Sequence, residues 1–327
     1  MKTKKEKNGF TLVELLTVMA VIAILIGILV PALNLVRKMA KDTSQKAQFH
    51  SISVSLDIFN GENDGYPDSY VRGTSVYTTG AQHLAEALVG RDMLGLDPQT
   101  SWDAKKDWDD NGTRPVYGNG DQDDDEASLN RRKGPYLSSE NVEAYNVGDL
   151  YTSDTSLTNQ VYKGPATEAP APVLTDIYRV KDITLTNNKT VKAGSPILYY
   201  KANTSLTGLR IFPNTRITTG GMTPVTDVEE DDAENSIYNS MDNEDLIRLG
   251  DVATQTKQHH FDGLGNSFAT QYIDPSGNGL RWVFYDTITN PKITSQPRPY
   301  NASTYLLISA GNDGIYGTTD DITNFGN

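Results

Sequence analysis

Gly9-Phe10-Thr11-Leu12-Val13-Glu14-Leu15-Leu16 opens the stretch that decides the fold, and the apolar run behind it continues to Val36. From Leu15 to Val36 there are 22 residues without a charge. That is enough for one membrane-spanning helix, which takes roughly 20 apolar residues. Four lysines, Lys2, Lys4, Lys5 and Lys7, precede the run, and one carboxylate, Glu14, sits just inside its start. A secretory signal has a shorter apolar core closed by a small-x-small cleavage site. Here the apolar segment lies after Gly9, so a cut at that glycine would leave the anchor in the mature protein.

Beyond Arg37 the chain stays rich in helix formers, with apolar residues at Val36, Met39, Ala40, Ala47, Ile52, Leu56 and Phe59 that fit one helical stripe only loosely. Asn60-Gly61 is the expected stop. A helix from Phe10 to Phe59 would be about 75 Å long at 1.5 Å per residue. Its first half suits lipid, and its second half would project from the membrane.

Gly9-Phe10 followed by Thr-Leu-Val-Glu, with Pro31 inside the apolar helix, resembles the class III leader and N-terminal segment of type IV pilins and type II secretion pseudopilins. The resemblance implies a prepilin peptidase/methyltransferase in the inner membrane that cuts after Gly9 and methylates the new N-terminal amine of Phe10. It also implies assembly through Glu14 and Pro31. A carboxylate at the edge of a bilayer core is costly and usually has a partner. The partner implied by the resemblance is the Phe10 amine of a neighbouring subunit, which would fix axial register. Pro31 deletes one backbone hydrogen bond and is expected to kink the helix or let part of it unwind. The other reading is an ordinary signal anchor with a Glu near the lipid headgroups.

Composition narrows the function classes. The 327-residue chain has a formal net charge of −13; four basic residues and one acidic residue lie in residues 1–9, so a chain from Phe10 would carry −16. So acidic a surface speaks against nucleic acid as a partner, which needs clustered Lys and Arg, and suits divalent cations. The sequence contains no Cys, which excludes disulfides and thiolate metal sites. Four histidines, His50, His83, His259 and His260, stand in no catalytic spacing.

Along the remaining chain, Ala81–Leu96 reads as a short helix packing across the long one, ended by Gly90 and Gly95. Asp107-x-Asp109-x-Asn111-Gly112 matches the first half of a calcium loop, but Gly118 stands where the bidentate Glu should be. Asp121, Asp123 and Asp125 repeat the alternation without the Gly. A calcium-ordered insertion and a solvated acidic loop are both consistent with residues 107–125. Strands are expected at Val173–Val180, Ile183–Val191 (turning at Asn187-Asn188), Ile197–Tyr200, Leu209–Phe212, Trp282–Tyr285 and Tyr305–Ile308. Gly220–Asp245 reads as an exposed acidic loop with a short helix over Glu244–Leu249. Strands collected after one long helix point to an α+β fold, with one antiparallel sheet packed on the helix's outer half; the resemblance implies that this fold is pilin-like.

Residues 309–324 form the second informative stretch: a strand ends and a Gly-punctuated loop presents Asp313, Asp320 and Asp321. Calcium takes six to eight oxygens, and glycines let a backbone fold around it. The loop resembles the C-terminal calcium loop of major pseudopilins, which implies Ca2+ held by Asp313 with one or both of Asp320 and Asp321. Backbone carbonyls near Ser309, Ile315 and Thr318 would complete the shell. An Asp-Gly turn with a polar tail and no metal is the alternative.

The expected organisation is a cleaved leader (1–9), a transmembrane and filament-core helix (10–36), its projecting half (37–60) and an α+β head (61–327). The resemblance implies a non-enzymatic filament subunit in the bacterial inner membrane, with its N-terminus cytoplasmic and its head periplasmic or extracellular. Its partners would be other copies, minor pseudopilins, an inner-membrane assembly platform and the lipid bilayer. A type II secretion pseudopilin is the leading expectation. A type IV pilus or minor pilin subunit for adhesion or DNA uptake, and an exported enzyme on a pilin-type leader, are the alternatives.

Overall fold

The computed structural model describes residues 12–69, 79–99, 117, 122–138, 142–151, 172–179, 181–185, 188–209, 216–218, 221–223, 235–255, 257–261 and 280–326. The chain divides into two compact units, Met1–Ser44 and Gln45–Asn327. Helix α1 (Leu12–Asn63) supplies the whole described part of the first unit. There residues 12–41 are exposed without exception, as an apolar helix made for lipid or for like helices would be. The helix is unbroken through Pro31, so the expected unwinding is not seen. A proline costs one hydrogen bond and crowds the carbonyl four residues back, which here belongs to Gly27.

In the second unit α1 presents one stripe: Gln45, Gln48, Phe49, Ile52, Ser55, Leu56 and Phe59 are buried, at the three-and-four spacing of a single helical face. The helix passes the expected stop at Asn60-Gly61 and ends at Asn63. The Asn63 side chain donates to Phe59 O at 3.0 Å, and Asp64 then turns the chain with φ 54°. Helix α2 (Gly80–Val89) lies against this stripe, and all ten of its residues are buried. Leu84, Ala85 and Leu88 join Ile52, Leu56 and Phe59 in one apolar cluster. Helix α3 (Gln122–Arg131) was not expected: Asp123 and Asp125 stand on it rather than in an extended loop.

The sheets are smaller and more numerous than the single sheet the sequence suggested. β1 (Glu143–Asn146) leads into the four-residue α4 (Val147–Leu150) and pairs with β2 (Pro172–Thr175); β3 (Lys181–Thr184) forms a hairpin with β4 (Thr190–Ala193). The hairpin turns beside Asn188, at φ 61°. β5 (Leu198–Lys201) pairs with β8 (Tyr305–Ser309), which pairs in turn with β9 (Ile322–Thr323), all antiparallel. β6 (Arg216–Thr218) and β7 (Gly221–Thr223) form a separate antiparallel pair. The expected strand Val173–Val180 stops at Thr175 because Asp176 leaves the ladder, while Val180 and residues 210–212 lie outside the described residues.

The β5–β8 ladder is buried on both faces, which is why its strands read as unbroken apolar runs. Tyr199, Tyr305 and Leu307 face the α1–α2 cluster, whereas Leu198, Tyr200, Leu306 and Ile308 face a second core. That second core takes Tyr238, Leu246 of helix α5 (Glu244–Ile247), and Phe284 and Tyr285 of helix α6 (Leu280–Ile288). Trp282–Tyr285, expected as a strand, is thus helical. Phe284, Tyr285 and Ile288 make one buried helical face while Asp286 is exposed, so tertiary packing overrides the β preference of aromatics. A one-turn 3-10 helix, Ser240–Asn243, precedes α5, and Ser236, Ile237, Tyr238, Asp242 and Asn243 are buried. Most of residues 236–244 of the expected exposed loop are therefore buried.

Beside α2 and α3 a clamp fastens Tyr117. The guanidinium groups of Arg91 and Arg132 lie 5.1 and 4.6 Å from its ring centre, and its hydroxyl donates to Glu86 at 3.1 Å. Arg91 and Glu86 form a buried ion pair at 2.9 Å, Arg132 meets Asp92, and Arg131 meets Asp97.

Candidate assembly segment and acidic loop

Two regions carry the residues singled out by the sequence. In the first, Gly9 and Phe10 lie outside the described residues. Glu14 stands in the first turn of α1, exposed, with the Thr17 hydroxyl donating to its backbone carbonyl at 3.0 Å. A carboxylate in the first turn suits the positive end of a helix dipole. α1 is the one helix among the described residues that is long and apolar enough to cross a membrane.

The second region is the loop between β8 and β9. Asp320 organises its first half: Oδ2 accepts the Asn312 and Asp313 N–H groups at 2.9 and 3.1 Å, and Oδ1 accepts the Thr318 hydroxyl at 2.6 Å. Asp313 Oδ1 accepts the Ile315 N–H at 2.8 Å, and Asp321 Oδ2 accepts the Gly317 N–H at 2.7 Å. Gly311 is required where it stands, since at φ 65° an added Cβ would lie 2.2 Å from Asp320 O.

The three carboxyls differ in their electrostatics. Asp313 and Asp320 face each other within hydrogen-bonding reach; burial and the Asp320 charge raise the pKa of Asp313. Burial also opposes ionisation of Asp320, but the Thr318 hydroxyl and the backbone N–H donors outweigh it and hold its pKa below the usual value. Burial pushes Asp321 up to about 8, with Asp320 and Asp313 adding to the shift. Its Oδ1 is closed off from solvent and has no donor among the described residues. The loop thus brings the three predicted residues onto one turn, with two of them in contact. Among the described residues, no group of three His, Cys, Asp or Glu side chains is already set to hold a metal. Residues 107–116 of the other acidic stretch lie outside the described residues.

Sequence reasoning missed two residues that brace this loop. His259 is buried, with Nε2–H donating to Gly250 O at 3.0 Å and Nδ1 accepting the Tyr316 N–H at 3.2 Å. Burial lowers its pKa to about 4, which keeps Nδ1 an acceptor at neutral pH. Tyr316, also buried, donates its hydroxyl to Pro196 O.

Comparison with known proteins falls on the N-terminal segment. A family model described as "Prokaryotic N-terminal methylation motif" matches residues 4–30. The chain is 39% identical over 62 residues to the "Type IV wide pilus major component PilA4" of Thermus thermophilus, covering 19% of this chain and 47% of that protein. It is 30% identical over 66 residues to the "Type II secretion system core protein G" of Pseudomonas aeruginosa, covering 20% of this chain and 46% of that protein. The chain thus spans about half the length of the curated relatives it matches. No solved structure matches it. The protein is type IV pilin- or pseudopilin-like, with that likeness carried by its N-terminal segment, and its described fold is α+β with a long N-terminal helix, consistent with a pilin-like fold.

Proposed function

We propose that the protein is a non-enzymatic subunit of a pilin-like filament, made as a precursor, cut after Gly9 and methylated at Phe10 by a prepilin peptidase/methyltransferase. The observation that carries this reading is the fully exposed apolar half of α1 with Glu14 in its first turn, inside the segment matched by the methylation motif. Such a surface is stable only in lipid or against like helices. The subunit would await assembly in the inner membrane, N-terminus cytoplasmic and head outside, and would then pack with other copies on an assembly platform. Our preferred setting is type II secretion, as a pseudopilin. A type IV pilus subunit is the second reading, favoured by the pilus component among the relatives.

The proposal extends to Ca2+ at the C-terminal loop, with Asp313, Asp320 and Asp321 as side-chain ligands. Its support is the contact between two carboxyls and the enclosed Oδ1 of Asp321. A cation there would neutralise the loop's charge and tie its turns together.

The test is the intact mass of the protein expressed with and without a prepilin peptidase. Loss of residues 1–9 and gain of one methyl group is expected, and an uncut chain would overturn the reading. Glu14→Val should leave membrane insertion intact and reduce filament yield at least about tenfold, the effect of about 1.4 kcal/mol in an equilibrium. Normal filaments from that variant, seen by electron microscopy, would remove Glu14 from assembly.

A further inference from the structure

Asp176 is 1% exposed, and neither the apolar helix nor the acidic loop explains a carboxylate in that place. Burying one is costly unless its oxygens are hydrogen-bonded. One of its bonds is local and two reach distant parts of the head. Oδ1 accepts the N–H groups of Tyr178 and Ser195, each at 3.2 Å. The chain opposite is pressed so close that a Cβ on Gly194 would stand 2.0 Å from Asp176 O. Oδ2 accepts the hydroxyl of Ser309 at 2.9 Å.

Ser309 is the last residue of β8, and its Oγ in turn accepts the N–H of Gly311, where the acidic loop begins, at 3.2 Å. On the other side, the residues flanking Asp176 are held by α1. Gln48 Nε2 donates to Thr175 O at 2.9 Å, and Gln45 Oε1 accepts the Ile177 N–H at 3.1 Å. Gln45, Gln48, Thr175 and Ser309 are all buried. A continuous polar path therefore runs from the helix, through residues 175–177 and the Asp176 carboxylate, to the first turn of the loop. Gln45 Nε2 and Gln48 Oε1 have no partner among the described residues, so each glutamine side chain is held by one bond, and a move of residues 175–177 would leave its amide wholly unsatisfied.

We infer that Asp176 couples the C-terminal acidic loop to helix α1, so that the hold of Gln45 and Gln48 on residues 175–177 depends on the conformation of residues 310–321. The long middle region thereby gains a role, since the turn after β2 bridges the helix and the end of the chain. The inference needs neither a bound metal nor an assembled filament.

Hydrogen exchange read by mass spectrometry, on the full chain in detergent micelles with chelator present, tests it. Asp313→Ala with Asp320→Ala should speed exchange in residues 310–321 and, by about five-fold or more, in residues 45–52; five-fold is the lower end of typical coupling between sites. When Ser309→Ala is added, the loop substitutions should still loosen the loop but no longer accelerate residues 45–52. Where Ser309→Ala unfolds the head, Ser309→Cys replaces it, since the thiol fills the same place and donates only weakly to Asp176. A loosened loop with unchanged exchange at residues 45–52 would overturn the coupling. So would the same extra acceleration with the Asp176–Ser309 link removed.

Discussion

With one oxygen closed off from solvent and its pKa lifted to about 8 by burial, Asp321 resists ionisation up to neutral pH. The sign of the consequence follows from proton counts. Between the unfolded value near 3.9 and the folded value near 8, the folded state binds the extra proton, so stability falls as pH rises. His259 acts in the opposite sense: its folded pKa of about 4 lies below the unfolded 6.5, so stability rises with pH between those values. From about pH 6.5 to 8 only the Asp321 effect remains of the two. In chelator, the melting temperature should fall across that window, and Asp321→Asn should abolish the fall. Each kcal/mol relieved is worth about 2–4 °C in a domain of this size. Calcium should flatten the wild-type curve by supplying the missing counter-charge and should do less for Asp313→Ala with Asp320→Ala. A wild-type melting temperature unmoved by calcium would dispose of the metal.

At the scale of elements, α1 separates what the sequence displays from what it conceals. Its apolar half is plain because nothing interrupts Leu15–Val36. Its head-facing stripe was read only loosely because Gln45, Gln48 and Ser55 occupy buried positions on it. Their partners, Ile177 N–H, Thr175 O and Tyr136 O, come from 81 to 132 residues away, and no local pattern could point to them. The same lack hid Asp176 and His259, whose roles depend on chains that meet only after folding. β5 and β8 were legible as strands but not as strands buried on both faces, whereas α6 was misread because four residues of aromatic and β-branched character say strand until the wider packing is known. The acidic loop was legible in its composition and glycines, but not in the way its carboxylates turn onto backbone N–H groups. Ile52→Ala, at a fully buried position, should cost about 2–5 kcal/mol. Val54→Ala, 46% exposed two residues on, should stay within about 0.5 kcal/mol. Denaturant unfolding in micelles measures both, and equal effects would mean the stripe is misplaced.

For the whole molecule, the absence of cysteine leaves the acidic head to be fastened by other means. The Arg91–Tyr117–Arg132 clamp is one of them. Tyr117→Ala removes the ring that both guanidinium groups lie over, and leaves Glu86 to Arg91; it should cost about 2–4 kcal/mol from lost packing and cation–π contact together. Added salt should change the wild type little at this point, because the Arg91–Glu86 pair is buried and buried pairs are weakly screened. Melting curves of wild type and Tyr117→Ala at low and high salt check both statements. A staple made of π-electrons and guanidinium also has no redox potential. It closes without an oxidant, survives any reductant, and leaves the head's folding free of thiol chemistry.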